Sequence, residues 1–403
     1  MNGTGGYVPG YGQWSNPATG AAVPLPTVSP TPFSPGLGVA QTINYLDYNR
    51  NGGSPHLQSW SFSVQRQVGW NTMLTFVYTA NRDSHLSGYN INPISQPYPS
   101  VLQYGSLLTQ NINSAAARAA GFTAPYASFA SQFGGGATVY QTLKPFPQYS
   151  NVSRTFDQSA TSHYNAFQVQ ADKHMSNSLN FLASITLPQL YDNMTTVVNK
   201  YHQKPEWAED TTGSFESKVA ATYQLPFGRG QRWLNSGATG KWLGGWQVAA
   251  ILTYNNSQPL QVTQSGEGFL NGANRPNFNK GVKLWSGNYN QVTRYFEHRG
   301  SAPLLFSTNA WSNTGSEYVL GNANRAYNGV RGPWYPVENL SAKKMFRITE
   351  GSSFSVRVDY FDAFNRTQPP FPGTSITSSN FGLINSKFSG GNRQGQIQGV
   401  FNF

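Results

Sequence analysis

The sequence predicts an all-β protein, an antiparallel transmembrane β-barrel portion of about nine long strands that is partial or incompletely closed. Three observations predict it: period-two alternation of apolar and polar residues, stretches of about 9 to 12 residues, and connections that alternate short and long. Strands of soluble proteins commonly run to about five or six residues, whereas strands that cross a bilayer need about 9 to 11. In a bacterial outer-membrane barrel the short turns lie at the periplasmic end and the long loops outside.

The composition suits such strands. Of 403 residues only 11% are charged, 14% are aromatic, and 41 Gly and 25 Pro punctuate the chain. Typical soluble domains carry roughly 25% charged residues. Mean hydropathy is −0.45, because Asn, Gln, Ser and Thr occupy the places that charges vacate. With no cysteine there is no disulfide framework, thiolate metal site or cysteine nucleophile. The net charge of +11 is carried by scattered Lys and Arg, of which only Lys343 and Lys344 adjoin, without the basic run or stripe of a nucleic-acid footprint. No stretch approaches the ~18 to 20 apolar residues of a membrane helix. The start, "MNGTGGYVPGYGQW", lacks the basic and apolar regions of a signal peptide.

Residues 1–56 ("PLPTVSPTPFSPGLG" within them) read as a Pro/Gly-rich extracellular loop segment, and 57–403 as barrel. The first strand, "SWSFSVQRQV", sets Trp60, Phe62 and Val64 on one face. After only "GWN", "TMLTFVYTANR" aligns Leu74, Phe76, Tyr78 and Ala80. "YNAFQVQADK" puts Phe167, Val169 and Ala171 opposite Gln168 and Gln170, and "LNFLASITL" aligns Leu179, Phe181, Ala183, Ile185 and Leu187. "SFESKVAATYQL" sets Val219, Ala221 and Tyr223 together, and "GWQVAAILTY" does so for Trp246, Val248, Ala250 and Leu252. "ENLSAKKMF" is a weaker strand, since Lys344 shares a face with Leu340, Ala342 and Phe346. "SFSVRVDYF" aligns Phe354, Val356 and Val358 against Arg357 and Asp359. The last strand, "RQGQIQGVFNF", carries Ile397, Phe401 and Phe403 on one face and Gln396 and Gln398 on the other.

This alternation predicts a lipid-facing set (Trp60, Phe62, Phe76, Phe181, Tyr223, Val248, Leu252, Phe354, Val356) and a lumen-facing set (Gln168, Gln170, Arg357, Asp359, Gln396, Gln398). Arg357 and Asp359, two residues apart on the inner face, read as an ion pair. Trp70, Trp242, Trp246 and Phe346 sit near the short turns, as a periplasmic aromatic girdle would. Arg66 and Lys173 lie on the apolar face close to those turns, where they are expected to snorkel to headgroups. No charge is expected in the middle of that face. The long connections read as structureless loops. Alternation by itself fits equally a sandwich with its apolar faces inside, so a secreted carbohydrate-binding protein stays open beside a porin or an adhesin.

No catalytic constellation appears. The six histidines show no HxxH or HExxH spacing, "FGRG" at 227–230 is too short for a phosphate loop, and G-x-S-x-G is missing. The carboxylates of "EWAEDTT" (Glu206, Glu209, Asp210) read as a solvated loop run. The expectation is no enzyme, no cofactor, no metal and no nucleic-acid partner.

Several segments resemble TonB-dependent outer-membrane receptors of the Oar-like type, whose N-terminal domain is carboxypeptidase-regulatory-like. They are "QLPFGRGQRWLNSGATGKWLGGWQVAAILTYNNSQPLQV" (224–262), "TSHYNAFQVQADKHMSNSLNFLAS" (161–184), "GANRPN" (272–277), the stretch 320–371 and the tail 381–403. Ala342 and Lys343 stand where that family usually has apolar residues. The resemblance implies a 22-stranded barrel with a plugged lumen, of which this chain supplies the C-terminal part. Signal peptide, plug domain and TonB-contacting box are then missing, as in a truncated reading frame. It further implies energised uptake of a bulky nutrient (oligosaccharide, peptide or chelate), contact with the TonB complex only through the missing plug, and outer-membrane lipid as solvent. The terminal strand resembles the signal read by the barrel assembly machinery, carried by Phe403, Phe401 and Ile397.

Overall fold

The computed structural model describes residues 54–88, 94–154, 157–176, 178–194, 201, 206–210, 213–228, 231–234, 236–266, 269–272, 275–292, 302–366, 368–384 and 392–403, with four short strand segments before residue 46. Nine long strands form the main sheet: β1 (His56–Val68), β2 (Thr72–Leu86), β3 (Ala160–Ser176), β4 (Leu179–Asp192), β5 (Glu216–Gln224), β6 (Trp246–Asn255), β7 (Tyr335–Arg347), β8 (Ser353–Phe361) and β9 (Gln394–Asn402). They pair in strict chain order, every neighbour antiparallel, and Ala208–Glu209 adds a short flank to β4. The sheet is open, with β1 and β9 at its two edges.

Alternation and the turns together fix the register. A slip of one residue would turn a strand's whole apolar set to the other side. One row runs Phe62, Tyr78, Phe167, Leu187 and another Tyr223, Val248, Ala342, Val358, Ile397, each residue directly opposite the next. The strand read as weak, "ENLSAKKMF", is continuous over thirteen residues as β7.

The connections 69–71, 177–178, 225–245 and 348–352 join strands at one end of the sheet, and at the other end the chain leaves β2, β4, β6 and β8 to return as β3, β5, β7 and β9. We call these the turn end and the loop end. In the first turn Trp70 (φ 61°) and Asn71 (φ 56°) both take left-handed backbone, which matches the twist of a tight hairpin. In the longest turn the backbones of Gly228 and Gly244 touch, leaving no room for a Cβ. "FGRG" therefore begins a close-packed turn; Arg229 and Gly230 lie outside the described residues.

Among the described residues, no second layer covers the apolar face of the sheet. Phe62 is 68% exposed, Trp60 48%, Phe167 43% and Tyr360 46%. The largest buried cluster lies instead in the loop-end connections: Leu260, Val262, Leu305, Phe306, Trp311 and Val330, joined by Phe381 and Ile384. The expectation of structureless loops is corrected here. Connections 256–334 and 362–393 share one core, and they are stitched by backbone bonds from Leu305 to Gly382 (2.8 Å), Thr263 to Thr374 (3.0 Å) and Ile376 to Thr263 (2.9 Å).

Residues Met1–Thr42 and Ser106–Asn151 form a separate compact unit. Its described part holds three short helices, Ala115–Ala119, Phe129–Phe133 and Val139–Thr142, around Leu108, Ile112, Phe129 and Val139. Ser114 caps the first by accepting from the Ala117 amide, and Gln141 donates to the carbonyls of Pro147 and Tyr149. In the segment expected to be loop, Gly6–Val8, Gln13–Ser15 and Ala22–Val23 make a small antiparallel sheet. Apart from these and the strand Gln41–Tyr45, residues 1–53 lie outside the described ones.

Candidate functional site

All nine residues expected to face lipid share one face of the sheet. Cross-strand partners include Trp60 with Ala80, Phe76 with Val169, Phe181 with Ala221, Leu252 with Val219, Phe354 with Phe401 and Val356 with Gly399. The opposite face brings together Gln168 (beside Thr186), Gln170 (beside Ser184), Arg357, Asp359, Gln396 and Gln398. There Arg357 Nε donates to Asp359 Oδ1 at 2.8 Å and to Ser341 Oγ at 3.1 Å, the ion pair that the spacing suggests. Gln398 stands opposite Arg357, and Gln396 opposite Asp359. The polar face is not uniformly polar, because Leu182, Ala220 and Ile251 form an apolar row across β4, β5 and β6.

The apolar face treats its charges in ways the sequence did not suggest. Lys173 does not snorkel. It is buried, and its ammonium donates to the Trp70 carbonyl in the first turn. Lys344 is buried too, donating to the carbonyls of Lys241 (3.1 Å), Trp242 (2.9 Å) and Gly244 at the C-terminus of the short helix Gly237–Leu243. A cation there satisfies carbonyls that have no helical partner and complements the helix dipole. Its ammonium also lies 5.7 Å from the Trp246 ring and 5.2 Å from that of Phe346. Lys344→Met is expected to cost about 1 to 2 kcal/mol by releasing that helix from the sheet. Guanidinium unfolding in lipid vesicles measures it, and Lys343→Met, on the polar face, should leave the midpoint unchanged.

The same face carries one carboxylate near the loop end. Glu338, opposite Leu252, is fully buried; it accepts from Arg366 Nε (2.7 Å) and Tyr254 OH (3.3 Å).

Trp70, Trp242, Trp246 and Phe346 all lie at the turn end, and Trp70 (81%) and Trp242 (72%) are among the most exposed rings described. A second group lies at the loop end, where period two puts Phe215 on the apolar face but announces no aromatic belt. Phe215 and Trp334 pack with ring centroids 5.2 Å apart, and His163 packs against the rings of Tyr191 (5.4 Å) and Trp207 (4.9 Å). Phe215 is already in phase with the apolar set of "SFESKVAATYQL", and a period-two count extended one residue past β7 reaches Trp334.

Glu206 and Glu209 are not a solvated run. Connection 256–334 reaches connection 193–215 and the end of β4 through three Arg–carboxylate pairs. Arg275 pairs with Glu206, Arg331 with Glu209, and Arg325 grips both oxygens of Asp192 at 2.8 and 3.4 Å. The Arg325 amide also donates to Glu206 (2.7 Å). Tyr289, whose hydroxyl donates to the Arg331 carbonyl (2.8 Å), ties the same region down, and burial pushes its phenol well above the usual range. An acid whose folded pKa is raised adds stability at neutral pH that is lost as pH climbs past the unfolded value near 10. Proteolysis of the loop end is therefore expected to accelerate above about pH 10. Tyr289→Phe should flatten that rise.

Among the described residues, no group of three or more His, Asp or Glu side chains is placed to hold a metal ion. His202 and His298 lie outside them.

The profile of the outer membrane beta barrel domain family matches residues 4–396. No curated protein matches the chain in sequence. Solved structures that resemble it include the outer membrane transporter YddB from Escherichia coli (TM-score 0.39, 6% identity, 90% of this chain and 34% of that one). The pyoverdine outer membrane receptor FpvA from Pseudomonas aeruginosa PAO1, bound to pyoverdine, gives a TM-score of 0.35 at 9% identity, over 87% of this chain and 30% of that one. The FpvAI–pyocin S2 complex gives 0.35 and 9%, over 86% and 27%. The chain thus spans between about a quarter and a third of their length.

Proposed function

Because the chain belongs to the outer membrane beta barrel domain family, we propose that its nine strands are wall of a TonB-dependent receptor that takes up a bulky nutrient. One observation carries the reading. Among the described residues the apolar face is bare while the core sits at one end of the sheet, which supports a solvent for that face other than water. Lipid is that solvent in this family's membrane, and the polar face then lines the lumen.

The aromatic rings fit the same assignment. Trp334 and Phe346 bracket β7 twelve residues apart. At about 3.3 Å per residue and a tilt of about 45°, that separates the two belts by ~28 Å, against an apolar band of ~25 Å. The loop end faces the cell exterior and offers its folded cap to ligand. The turn end, with Trp70, Trp242, Trp246 and Phe346, meets the periplasmic interface.

The edges of β1 and β9 each leave roughly ten backbone N–H and C=O groups unpaired, at several kcal/mol apiece in hydrocarbon. Further strands must therefore join them, as in a larger barrel. The edge of β9, with Ile397, Phe401 and Phe403 all more than half exposed, suits capture by the assembly machinery through edge pairing. Phe401→Ala with Phe403→Ala is expected to lower the heat-modifiable, assembled fraction severalfold, and unchanged migration would remove that role.

Growth of a deletion strain on limiting oligosaccharides, peptides or metal chelates tests the receptor reading. A defect confined to one nutrient class, reproduced by inactivating TonB, is expected. The porin reading instead predicts slower entry of many small solutes, indifferent to TonB.

A further inference from the structure

A groove of about 460 Å³ crosses the apolar face from β5 to β8. Its floor is made of small side chains, Ala221, Ala250 and Ala342, while Tyr223, Leu340 and Tyr360 wall it. Elsewhere the face is filled by large rings such as Trp60, Phe62, Phe76 and Phe167, so the depression is local to these four strands. It ends at Ala363, just past the loop end of β8.

Three residues further on stands Arg366. Its guanidinium is about half exposed, held through Nε by the fully buried Glu338 and set 5.6 Å from the centroid of the exposed Phe364 ring. Two carboxylates, Glu338 and Asp362 (whose Oδ1 accepts from the Arg366 amide at 3.3 Å), are both buried, while the guanidinium is about half exposed, so the charged group that reaches the surface at the groove's end is the cation. The groove is apolar along its length and cationic at one end, which is the pattern of an anionic lipid rather than of a neutral chain. Guanidinium groups favour phosphate because their planar donors match its oxygens.

We propose that this groove holds one acyl chain of a phosphorylated glycolipid of the outer leaflet, with its phosphate at Arg366. The proposal rests on the reading that the apolar face meets lipid, and it commits to the outer leaflet because the cationic end lies at the loop end.

The test uses the protein extracted from its own outer membrane, stripped of lipid by detergent exchange, and native mass spectrometry with lipid A or phosphatidylglycerol added back. One lipid A bound per chain, retained at least about tenfold more tightly than phosphatidylglycerol (~1.4 kcal/mol), is expected. Ala250→Trp, which fills the groove, should abolish retention, whereas Val169→Trp, on the same face but outside it, should not. Arg366→Gln should erase the preference for lipid A; because it orphans Glu338, the paired variant Glu338→Gln with Arg366→Gln is measured beside it and should behave alike. Equal binding of both lipids, or retention by Ala250→Trp, overturns the proposal. If the protein cannot be recovered from the membrane at all, the lipid-facing reading itself has failed, which is a separate result.

Discussion

Arg325→Ala is expected to detach the loop-end cap and destabilise it by about 3 to 5 kcal/mol, the cost of leaving a buried charge without its partner. Asp192 closes β4 and is almost wholly buried, with both oxygens facing the guanidinium. One oxygen also accepts from the Met194 amide, which is too little to replace an Arg fork. Among the described residues, Arg275 and Arg331 are committed to Glu206 and Glu209. Limited proteolysis of vesicle-embedded protein reads the effect: cleavage within 256–334 should speed up by two orders of magnitude or more, since each 1.4 kcal/mol is about tenfold in the open population. Asp192→Asn with Arg325→Gln should recover part of the loss by removing the unpaired charge. A cleavage rate unchanged in Arg325→Ala would show that the ion pairs do not hold the cap.

Val169→Arg is expected to lose about 2 to 4 kcal/mol, the cost of a guanidinium near the bilayer midplane. Val169 lies midway along β3, flanked by Phe76 and Ile185. Its neighbour Gln170 faces the other way, between Thr75 and Ser184, and Gln170→Arg should be nearly neutral. Adjacent residues of one strand thereby test which face meets lipid, with propensity and position held constant. Guanidinium midpoints in lipid vesicles measure the difference. The reverse order, or equal midpoints, would place lipid on the wrong side and end the receptor reading.

The nine strands were legible because alternation is local: Phe167, Val169 and Ala171 announce a face without help from any other strand. Register was legible only in steps of two, because a slip of two residues keeps every apolar set on its face. The turns set the pairing itself. The loop-end core was not legible for the opposite reason. Leu260, Leu305, Trp311 and Phe381 are scattered over more than a hundred residues with no period, and only contact reveals them as neighbours. The ion pairs were hidden likewise, because Arg325 and Asp192 lie 133 positions apart. Lys344 looked like a defect in β7 because its partners are main-chain carbonyls of a turn, which carry no side-chain signature. The concentration of Trp285, Phe306 and Trp311 inside a connection was the one hint that it folds.

The shared core of connections 256–334 and 362–393 sets a rule for how this surface can diversify. Neither segment is a free module, because Phe381 and Ile384 of one complete the interior of the other. Grafting either alone onto a related scaffold would leave Phe306 and Trp311 half solvated, so recognition properties should be inherited, recombined and engineered as a two-segment cassette.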